Sequence, residues 1–206
     1  MYNFVKASLK LFYRLFYKVT IVNGEKIENA KGVVISGNHL SNHDPLLFPA
    51  FFNKEIRFMA KEELFKIFFI KQTLKATGAI PIKRGTFDRT AINQSIKLLK
   101  EGEIVGIFPE GTRNKTGTKD MLEFHDGVAM FAVKTQKPII PMILYEKPRR
   151  WKKNYLFVGD PFELTDFYNT KDYAEATKEV FNHMVEVQKE CNEYVTNLKV
   201  KKKWFN

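Results

Sequence analysis

Cysteine and long apolar stretches are both scarce in this chain, and their scarcity excludes several classes of protein. Cys191 is the only cysteine among 206 residues, so the chain can form neither a disulfide framework nor a cysteine-rich zinc site. Charge-free apolar runs, such as residues 45–52 and 138–145, are far shorter than the ~18 to 20 residues that a membrane-spanning helix needs. The sequence therefore predicts a chain that does not cross a bilayer.

Acidic residues are too few to balance the basic ones. The chain has 34 Lys and Arg against 23 Asp and Glu, which gives a net charge of +11 and a pI near 9.6. Such an excess favours contact with nucleic acid, with anionic lipid, or with an acidic or phosphorylated substrate, and charge alone does not choose among them. With 44% hydrophobic residues, a chain of this length is expected to fold as one compact domain with a buried core.

The first 20 residues are rich in Phe, Tyr and Leu, and a basic residue recurs at every fourth position: Lys6, Lys10, Arg14 and Lys18. On a helix this spacing drifts only ~40° per step, so the basic residues form one narrow seam along an apolar cylinder. A helix lying in a lipid interface has this pattern, and so does a terminal helix packed on its own domain with a solvated edge. No small-residue cleavage site follows, so a signal peptide is not expected.

Both tryptophans lie in basic clusters, at residues 147–153 and 199–205. Tryptophan beside Lys and Arg suits the headgroup layer of a membrane, which favours the lipid interpretation of the N-terminal segment. We therefore predict that residues 1–20 form an amphipathic membrane-associating helix and that residues 21–206 form the folded domain.

Strand and helix signals alternate along that domain. Short apolar runs predict strands at residues 32–36, 79–82, 103–108, 138–145 and 155–158. Helical patterns cover residues 46–52, 61–75, 88–100, 127–136 and 172–198. Asn23-Gly24 is a hairpin-type turn signal between residues 17–22 and 25–27. The alternation predicts a single α/β domain in which helices cover a sheet.

Three polar side chains, His39, Arg84 and Arg113, each follow the carboxyl end of a predicted strand. Open α/β sheets gather their ligands at that edge, so the three are expected to share one site. Histidine is suited to take a proton near neutral pH, and a carboxylate on its other ring nitrogen fixes its tautomer. Asp44 is close enough in sequence to be that partner. For an isolated pair, a polar turn in which Asp44 only caps a helix is the stronger alternative.

A metal site formed by His39, His43 and Asp44 is disfavoured, because the residue before Pro45 is biased away from the helical geometry that two ligands four residues apart require. The sequence has no Gly-x-Ser-x-Gly elbow, and Cys191 falls in an amphipathic terminal helix. Without a protein nucleophile, the base is expected to deprotonate a substrate hydroxyl or a water. The second polar cluster, made of Lys83, Arg84 and the segment Glu110-Gly111-Thr112-Arg113, fits a phosphate with a neighbouring hydroxyl.

Four segments resemble the motif blocks of the 1-acylglycerol-3-phosphate acyltransferase family, in order and approximate spacing: Asn38-His39-x-Ser41-x-x-Asp44, Ile82-Lys83-Arg84, Phe108-Pro109-Glu110-Gly111-Thr112-Arg113 and Pro138-Ile139-Ile140-Pro141. The resemblance covers roughly residues 24–158. It implies a glycerolphosphate-acyltransferase-like α/β fold with a mixed sheet, in which His39 is the catalytic base and Asp44 its partner. It also implies that Arg84 and residues 110–113 hold the phosphate of the acceptor, and that Pro141 helps to shape the donor pocket.

The resemblance implies transfer of a fatty acyl group from acyl-CoA or acyl-carrier protein to lysophosphatidate, giving phosphatidate at the cytoplasmic face of the membrane. No metal or redox cofactor is expected. Alternatives are another lysolipid or glycerol phosphate as acceptor, or a non-catalytic lipid-binding protein, although the intact His39 and Asp44 argue against the last. Nucleic-acid binding is not expected, because no reader motif accompanies the basic clusters. His125 stands where many relatives have a lysine-rich segment. It is interpreted either as a residue that replaces a cation there or as a loop residue.

Overall fold

The computed structural model describes residues 2–83, 85–116 and 120–204, with side chains described from Phe4 to Val200. Its α-helices are α1 Tyr2–Phe16, α2 Glu25–Glu28, α3 Asp44–Phe51, α4 Phe68–Ala76, α5 Arg89–Lys100, α6 Gly127–Thr135 and α7 Ala174–Trp204. Its strands are β1 Lys18–Val22, β2 Val34–Gly37, β3 Ile56–Lys61, β4 Ile80–Ile82, β5 Ile104–Ile107, β6 Ile139–Leu144 and β7 Lys153–Val158. Two 3₁₀ helices, Glu62–Lys66 and Thr165–Phe167, complete the regular structure described.

The strands form one sheet in the order β1-β7-β6-β2-β5-β3-β4. Only β6 and β7 pair antiparallel, and the other neighbours are parallel. The predicted α/β domain with a mixed sheet is therefore confirmed. Because β2, β3, β4, β5 and β6 run in the same direction, their carboxyl ends lie at one side of the sheet, which we call the carboxyl edge.

Helices cover both faces of the sheet, and the central strands are accordingly almost entirely apolar, with Ser36 of β2 as a buried polar exception. Val34 points to a core shared with α5, α6 and α7, whereas the next residue, Ile35, belongs to a second core shared with α1 and α3. All four residues of β2 and of β5 and all six of β6 are buried. The strands that carry the polar segments are thus held from two sides.

The sequence prediction was wrong near residue 23 and incomplete near residue 56. Instead of a hairpin, Glu25–Glu28 forms the short helix α2, which buries Ile27, and β1 pairs parallel with the distant β7. The strand Ile56–Lys61 was missed because Arg57 and Lys61 interrupt its apolar pattern, although its alternate residues are buried. The helix predicted over residues 61–75 is split into a 3₁₀ helix and α4.

Helix α1 packs on α3 and α4 and buries Tyr13. Lys6 and Lys10 are partly buried rather than solvated: the Lys6 ammonium lies 3.0 Å from a carboxylate oxygen of Glu55, and burial lowers the pKa of Lys10. The exposed row of α1 is largely apolar and includes Phe4, Leu11 and Leu15. Over the residues described, no helix has both the length and the apolar character to cross a membrane.

Candidate active site

The polar segments meet at the carboxyl edge because of the strand order. His39 follows β2, and residues 108–114 follow β5, which is the immediate neighbour of β2. Lys83 follows β4, which is separated from β5 by β3. At ~4.8 Å per strand, β4 lies about 14 Å from β2, so a ligand that contacts both His39 and Lys83 must span this edge.

His39 and Asp44 form a buried pair. The Nδ1 atom of His39 lies 3.0 Å from Oδ2 of Asp44, and the two side chains are 8% and 0% exposed. The same oxygen accepts hydrogen bonds from the backbone N–H groups of Leu40, at 2.7 Å, and Ser41, at 2.6 Å. The geometry therefore matches the predicted partner of His39, and Asp44 also stabilises the turn that leads into α3. Asp44 does not cap that helix, because it is the first residue of α3 and His43 occupies the N-cap position.

The imidazole of His39 is also fixed by ring stacking. It stacks on Phe108 with centroids 4.3 Å apart and planes 19° apart, and Phe108 stacks on Phe58 at 4.8 Å. Gly106 of β5 leaves room for this stack, because a Cβ there would lie 2.5 Å from the Phe58 ring. No hydrogen bond joins Nε2 of His39 to another described residue. The imidazole thus has a defined plane and tautomer, and Nε2 remains available for a substrate.

Glu110 connects the segment after β5 to the backbone of His39. Its Oε1 accepts the N–H of His39 at 3.0 Å and its Oε2 accepts the N–H of Leu122 at 3.1 Å. The Asn114 N–H donates to the His39 carbonyl at 2.7 Å, so both backbone polar groups of His39 are bound by this segment. Burial raises the pKa of Glu110 above its usual range. Both carboxylate oxygens of Glu110 thus already accept backbone hydrogen bonds. Contact of Glu110 with a substrate hydroxyl stays a prediction.

Replacing Glu110 by glutamine is expected to destabilise the site, because an amide offers only one acceptor oxygen for two buried N–H groups. One of the two N–H groups would face an NH₂ group, at a cost of about 1 to 3 kcal/mol. We expect a lower urea midpoint and a reduced kcat at saturating substrate. Unchanged stability together with an increased KM would show instead that Glu110 contacts the acceptor directly.

Three further hydrogen bonds hold the turn after β2, and none of them is evident from the sequence. The Asn38 amide accepts the N–H of Leu144 at 2.8 Å and donates to its carbonyl at 2.9 Å, which joins the ends of β2 and β6. Nδ1 of His43 lies 3.0 Å from the hydroxyl oxygen of Tyr13, whose pKa is raised by burial. His43 therefore bonds to α1 while His39 bonds to Asp44. The described residues contain no cluster of His, Cys, Asp or Glu suited to a metal ion.

A cavity of about 570 Å³ opens at this edge of the sheet. Phe108, Gly111, His125 and Lys83 contribute to its lining. Most of its other walls are apolar side chains: Met59, Ile82, Phe87, Ile92, Ile107, Met130 and Phe131. Its volume falls in the range of ligand pockets, and its lining extends from the ring that stacks on His39 to the basic residue after β4.

His125 lies in a loop, as one of its two interpretations has it, and this loop lines the cavity. Gly111 has φ +62°, and a Cβ there would lie 2.6 Å from Cδ2 of the His125 imidazole. The backbone N–H of His125 donates to the Pro109 carbonyl at 2.9 Å. The imidazole therefore packs directly on the glycine of the segment predicted to hold a phosphate.

The remaining predicted site residues differ in burial and in their distance from His39 along the sheet. Arg113 is half-buried and Thr112 is exposed, and both lie on the segment that Asn114 ties to His39. Arg84 lies outside the described residues, so its convergence with His39 stays a prediction. Pro141 is buried within β6, opposite Ser36 of β2. Lys83 is 67% exposed, and its Nζ lies 3.9 Å from Oε2 of Glu62.

Several known proteins are similar to this chain in sequence. Residues 18–145 match the Acyltransferase family. A 1-acyl-sn-glycerol-3-phosphate acyltransferase of Bacillus subtilis is 32% identical over 194 residues, which cover 90% of this chain and 95% of the relative. The enzyme of that name from Borreliella burgdorferi is 35% identical over 142 residues, 68% of this chain and 56% of the relative. The chain thus spans little more than half of that second relative.

The fold is also that of a solved structure. The crystal structure of the 1-acyl-sn-glycerophosphate acyltransferase of Thermotoga maritima aligns with a TM-score of 0.68, covering 91% of this chain and 80% of that chain at 24% identity. The family match contains His39, Asp44 and the whole segment from Phe108 to Arg113. The chain belongs to the Acyltransferase family.

Proposed function

We propose that this protein transfers a fatty acyl group from an acyl thioester to the free hydroxyl of 1-acylglycerol-3-phosphate, giving phosphatidate in phospholipid synthesis. The observation that carries the proposal is the buried His39–Asp44 pair at the carboxyl edge, beside a largely apolar cavity. The relatives named above act, by their names, on this acceptor. The family supports the reaction class, and the site supplies a base at the place where a ligand can enter.

The reaction needs one proton transfer in each direction. Nε2 of His39 takes the proton of the acceptor hydroxyl as its oxygen attacks the thioester carbon. The tetrahedral intermediate then collapses, the C–S bond breaks, and the imidazolium returns the proton to the leaving sulfur. Asp44 holds Nδ1 protonated throughout and stabilises the imidazolium, which is why its burial against His39 matters.

The acceptor phosphate is expected to bind among Lys83, Arg84 and Arg113, with the backbone at Gly111 and Thr112. Gly111 has a positive φ, which glycine adopts without strain, and the His125 imidazole occupies the space that a side chain would fill there. Arginine binds phosphate oxygens through paired N–H groups and lysine binds them as a point charge. Holding the phosphate at this edge would place the free hydroxyl beside His39, and such positioning contributes to the rate independently of the base.

The acyl donor is proposed to be acyl-CoA or acyl-carrier protein. Both donors are polyanionic, and a chain with a net charge of +11 attracts them at long range. The apolar walls of the cavity suit a fatty acyl chain, and Met130 and Phe131 of α6 form part of them. Pro141 in β6 is retained as a residue that shapes the donor side of the site.

Peripheral association with an anionic membrane, at its cytoplasmic face, completes the proposal. Within the predicted membrane-associating residues 1–20, the part of α1 that lies toward the carboxyl edge supplies the exposed apolar side chains Leu11 and Leu15. The exposed Trp151 packs on Phe16 of α1 with centroids 4.9 Å apart, and basic residues surround it in sequence. Attraction of basic residues to anionic lipid weakens with salt, so membrane binding is expected to fall as ionic strength rises.

The test is product formation by the purified chain. Lysophosphatidate is supplied in vesicles with acyl-CoA or with acyl-carrier protein, thiol release is followed, and the lipid product is identified by mass spectrometry. We expect phosphatidate and an equal amount of thiol, with a rate that a chelator does not change. Lipid binding without thiol release would identify a non-catalytic lipid-binding protein, and chelator-sensitive turnover would contradict the mechanism.

A further inference from the structure

The start of α4 exposes large apolar side chains to solvent. Ile67 is 50%, Phe68 67%, Phe69 81% and Ile70 38% exposed. The Phe68 and Phe69 rings contact each other at right angles, with centroids 5.4 Å apart. Contiguous apolar surface of this kind is unusual on a monomeric protein and marks a place of contact.

This apolar segment lies at the carboxyl edge. It follows β3 through the 3₁₀ helix Glu62–Lys66, and it neighbours the loop after β4, because β3 and β4 are paired and Lys83 approaches Glu62. That loop exposes Phe87, which is 75% exposed and lines the cavity beside His39. We call Ile67, Phe68, Phe69, Ile70 and Phe87 the edge patch. Through Phe87 the edge patch reaches the lining of the cavity.

The charge around the edge patch indicates what kind of partner it contacts. Residues 61–89 contain seven Lys and Arg against three Asp and Glu. Lys66, next to the patch in sequence, is exposed, and Lys83 lies at the cavity beside Phe87. Apolar side chains flanked by basic ones match an anionic bilayer, which offers an apolar interior beneath a negative surface. The same excess of positive charge opposes a symmetric contact with a second copy of the chain.

We propose that the edge patch inserts into an anionic phospholipid bilayer and turns the carboxyl edge of the sheet toward the lipid. The opening of the cavity then faces the membrane, and the acceptor reaches His39 from the bilayer without crossing water. The identity of this acceptor rests on the proposed function, whereas insertion of the patch does not.

A matched control comes from α1. This helix runs along the protein from the amino side of β3, where Lys6 bonds to Glu55, to the carboxyl edge, where Tyr13 bonds to His43. Phe4, at the far end, is 76% exposed, close to the exposure of Phe68 and Phe69. If the carboxyl edge faces the bilayer, Phe4 is held away from it. If α1 lies flat in the membrane along its whole length, Phe4 is inserted.

The experiment compares binding of the full chain to vesicles of phosphatidylcholine and phosphatidylglycerol by co-sedimentation. Phe68→Ser/Phe69→Ser is expected to bind at least about tenfold more weakly, because two exposed aromatic side chains no longer leave water. Phe4→Ser is expected to bind like the unaltered chain. Phe87 is left unchanged because it also lines the cavity. Equal binding by the double variant, or an equal loss in Phe4→Ser, would overturn the proposal.

A second measurement does not depend on folding of the double variant. Cys191 is the only cysteine and is buried, so in Cys191→Ser an introduced cysteine is the only thiol. Phe69→Cys and Phe4→Cys, each labelled with an environment-sensitive dye, are compared on adding the same vesicles. A blue shift at position 69 and none at position 4 supports insertion of the edge patch, and the reverse pattern refutes it.

Measurements of turnover distinguish a failure of this proposal from a failure of the proposed function. With a short-chain lysophosphatidate dissolved in water, Phe68→Ser/Phe69→Ser is expected to lose no more than about twofold of its activity, since both side chains point to solvent. Its turnover of long-chain acceptor in vesicles should fall with its vesicle binding. Absence of turnover by the unaltered chain with either acceptor contradicts the proposed function and leaves the dye measurement to decide the orientation.

Discussion

His39→Ala is expected to lower kcat by about 10²- to 10⁴-fold, which is the range that general-base catalysis contributes. The substitution removes the only group that is positioned by Asp44 to take the hydroxyl proton. KM for the acceptor should change far less, because the residues proposed to bind its phosphate remain. The measurement is steady-state thiol release with vesicle-borne lysophosphatidate at saturating donor.

His43→Ala provides the matched control, because it removes an imidazole from the same turn. That imidazole bonds to Tyr13 of α1, whereas the hydrogen bonds of Asp44 go to His39, Leu40 and Ser41. We expect His43→Ala to lower stability and to retain most of the activity, and we expect His39→Ala to bind vesicles normally. A His39→Ala protein that folds and remains fully active would exclude the base mechanism.

Much of this site follows from the sequence because its central contact is local. His39 and Asp44 are five residues apart, and the strand-to-helix turn between them brings the carboxylate back to Nδ1 without any distant element. The position of residues 108–114 beside them needs one more condition, that β2 and β5 are neighbours. The tendency of open α/β sheets to gather ligands at one edge predicted a shared site, but the periodicity of the sequence does not determine the order of the strands.

The supporting contacts could not be predicted, because they join residues that are far apart in the chain. Tyr13 and His43 are separated by 30 residues, and Asn38 and Leu144 by 106 residues. Both contacts depend on where α1 and β6 are placed relative to β2. The contacts of Glu110 could not be predicted for the same reason. Its motif implies a substrate contact, whereas in the structure its two oxygens accept the backbone N–H groups of His39 and Leu122.

The faces of helices are the other feature that the sequence left open. The apolar pattern over residues 61–75 predicts a helix, but it does not say whether a core, a groove or solvent lies opposite Phe68 and Phe69. On α1 the basic seam predicts exposed lysines, whereas Lys6 and Lys10 are partly buried and the exposed row includes Leu11 and Leu15. A helical pattern defines a face, and the strand order decides what that face contacts.

Asp44→Asn is expected to lower kcat by about 10- to 10²-fold, which corresponds to the ~1.5 to 3 kcal/mol of a hydrogen bond to a charged group. Oδ2 of Asp44 accepts from Nδ1 of His39 and from two backbone N–H groups. Oδ1 has no hydrogen-bond partner among the described residues, so in asparagine the amide oxygen is expected to take the place of Oδ2 and the NH₂ group that of Oδ1. Nδ1 then keeps its proton and its acceptor, but the acceptor is neutral and stabilises the imidazolium less than a carboxylate does.

The same substitution keeps the shape of the turn, so the loss of activity can be separated from a loss of fold. We expect a stability decrease of about 1 to 3 kcal/mol in urea unfolding, because a neutral amide replaces a carboxylate that accepts several buried hydrogen bonds. Nuclear magnetic resonance of the labelled imidazole should show the proton of His39 on Nδ1 in both the unaltered protein and Asp44→Asn. A proton on Nε2 in the variant would contradict the expected placement of the amide oxygen, and a fully active variant would show that the charge of Asp44 does not contribute to catalysis.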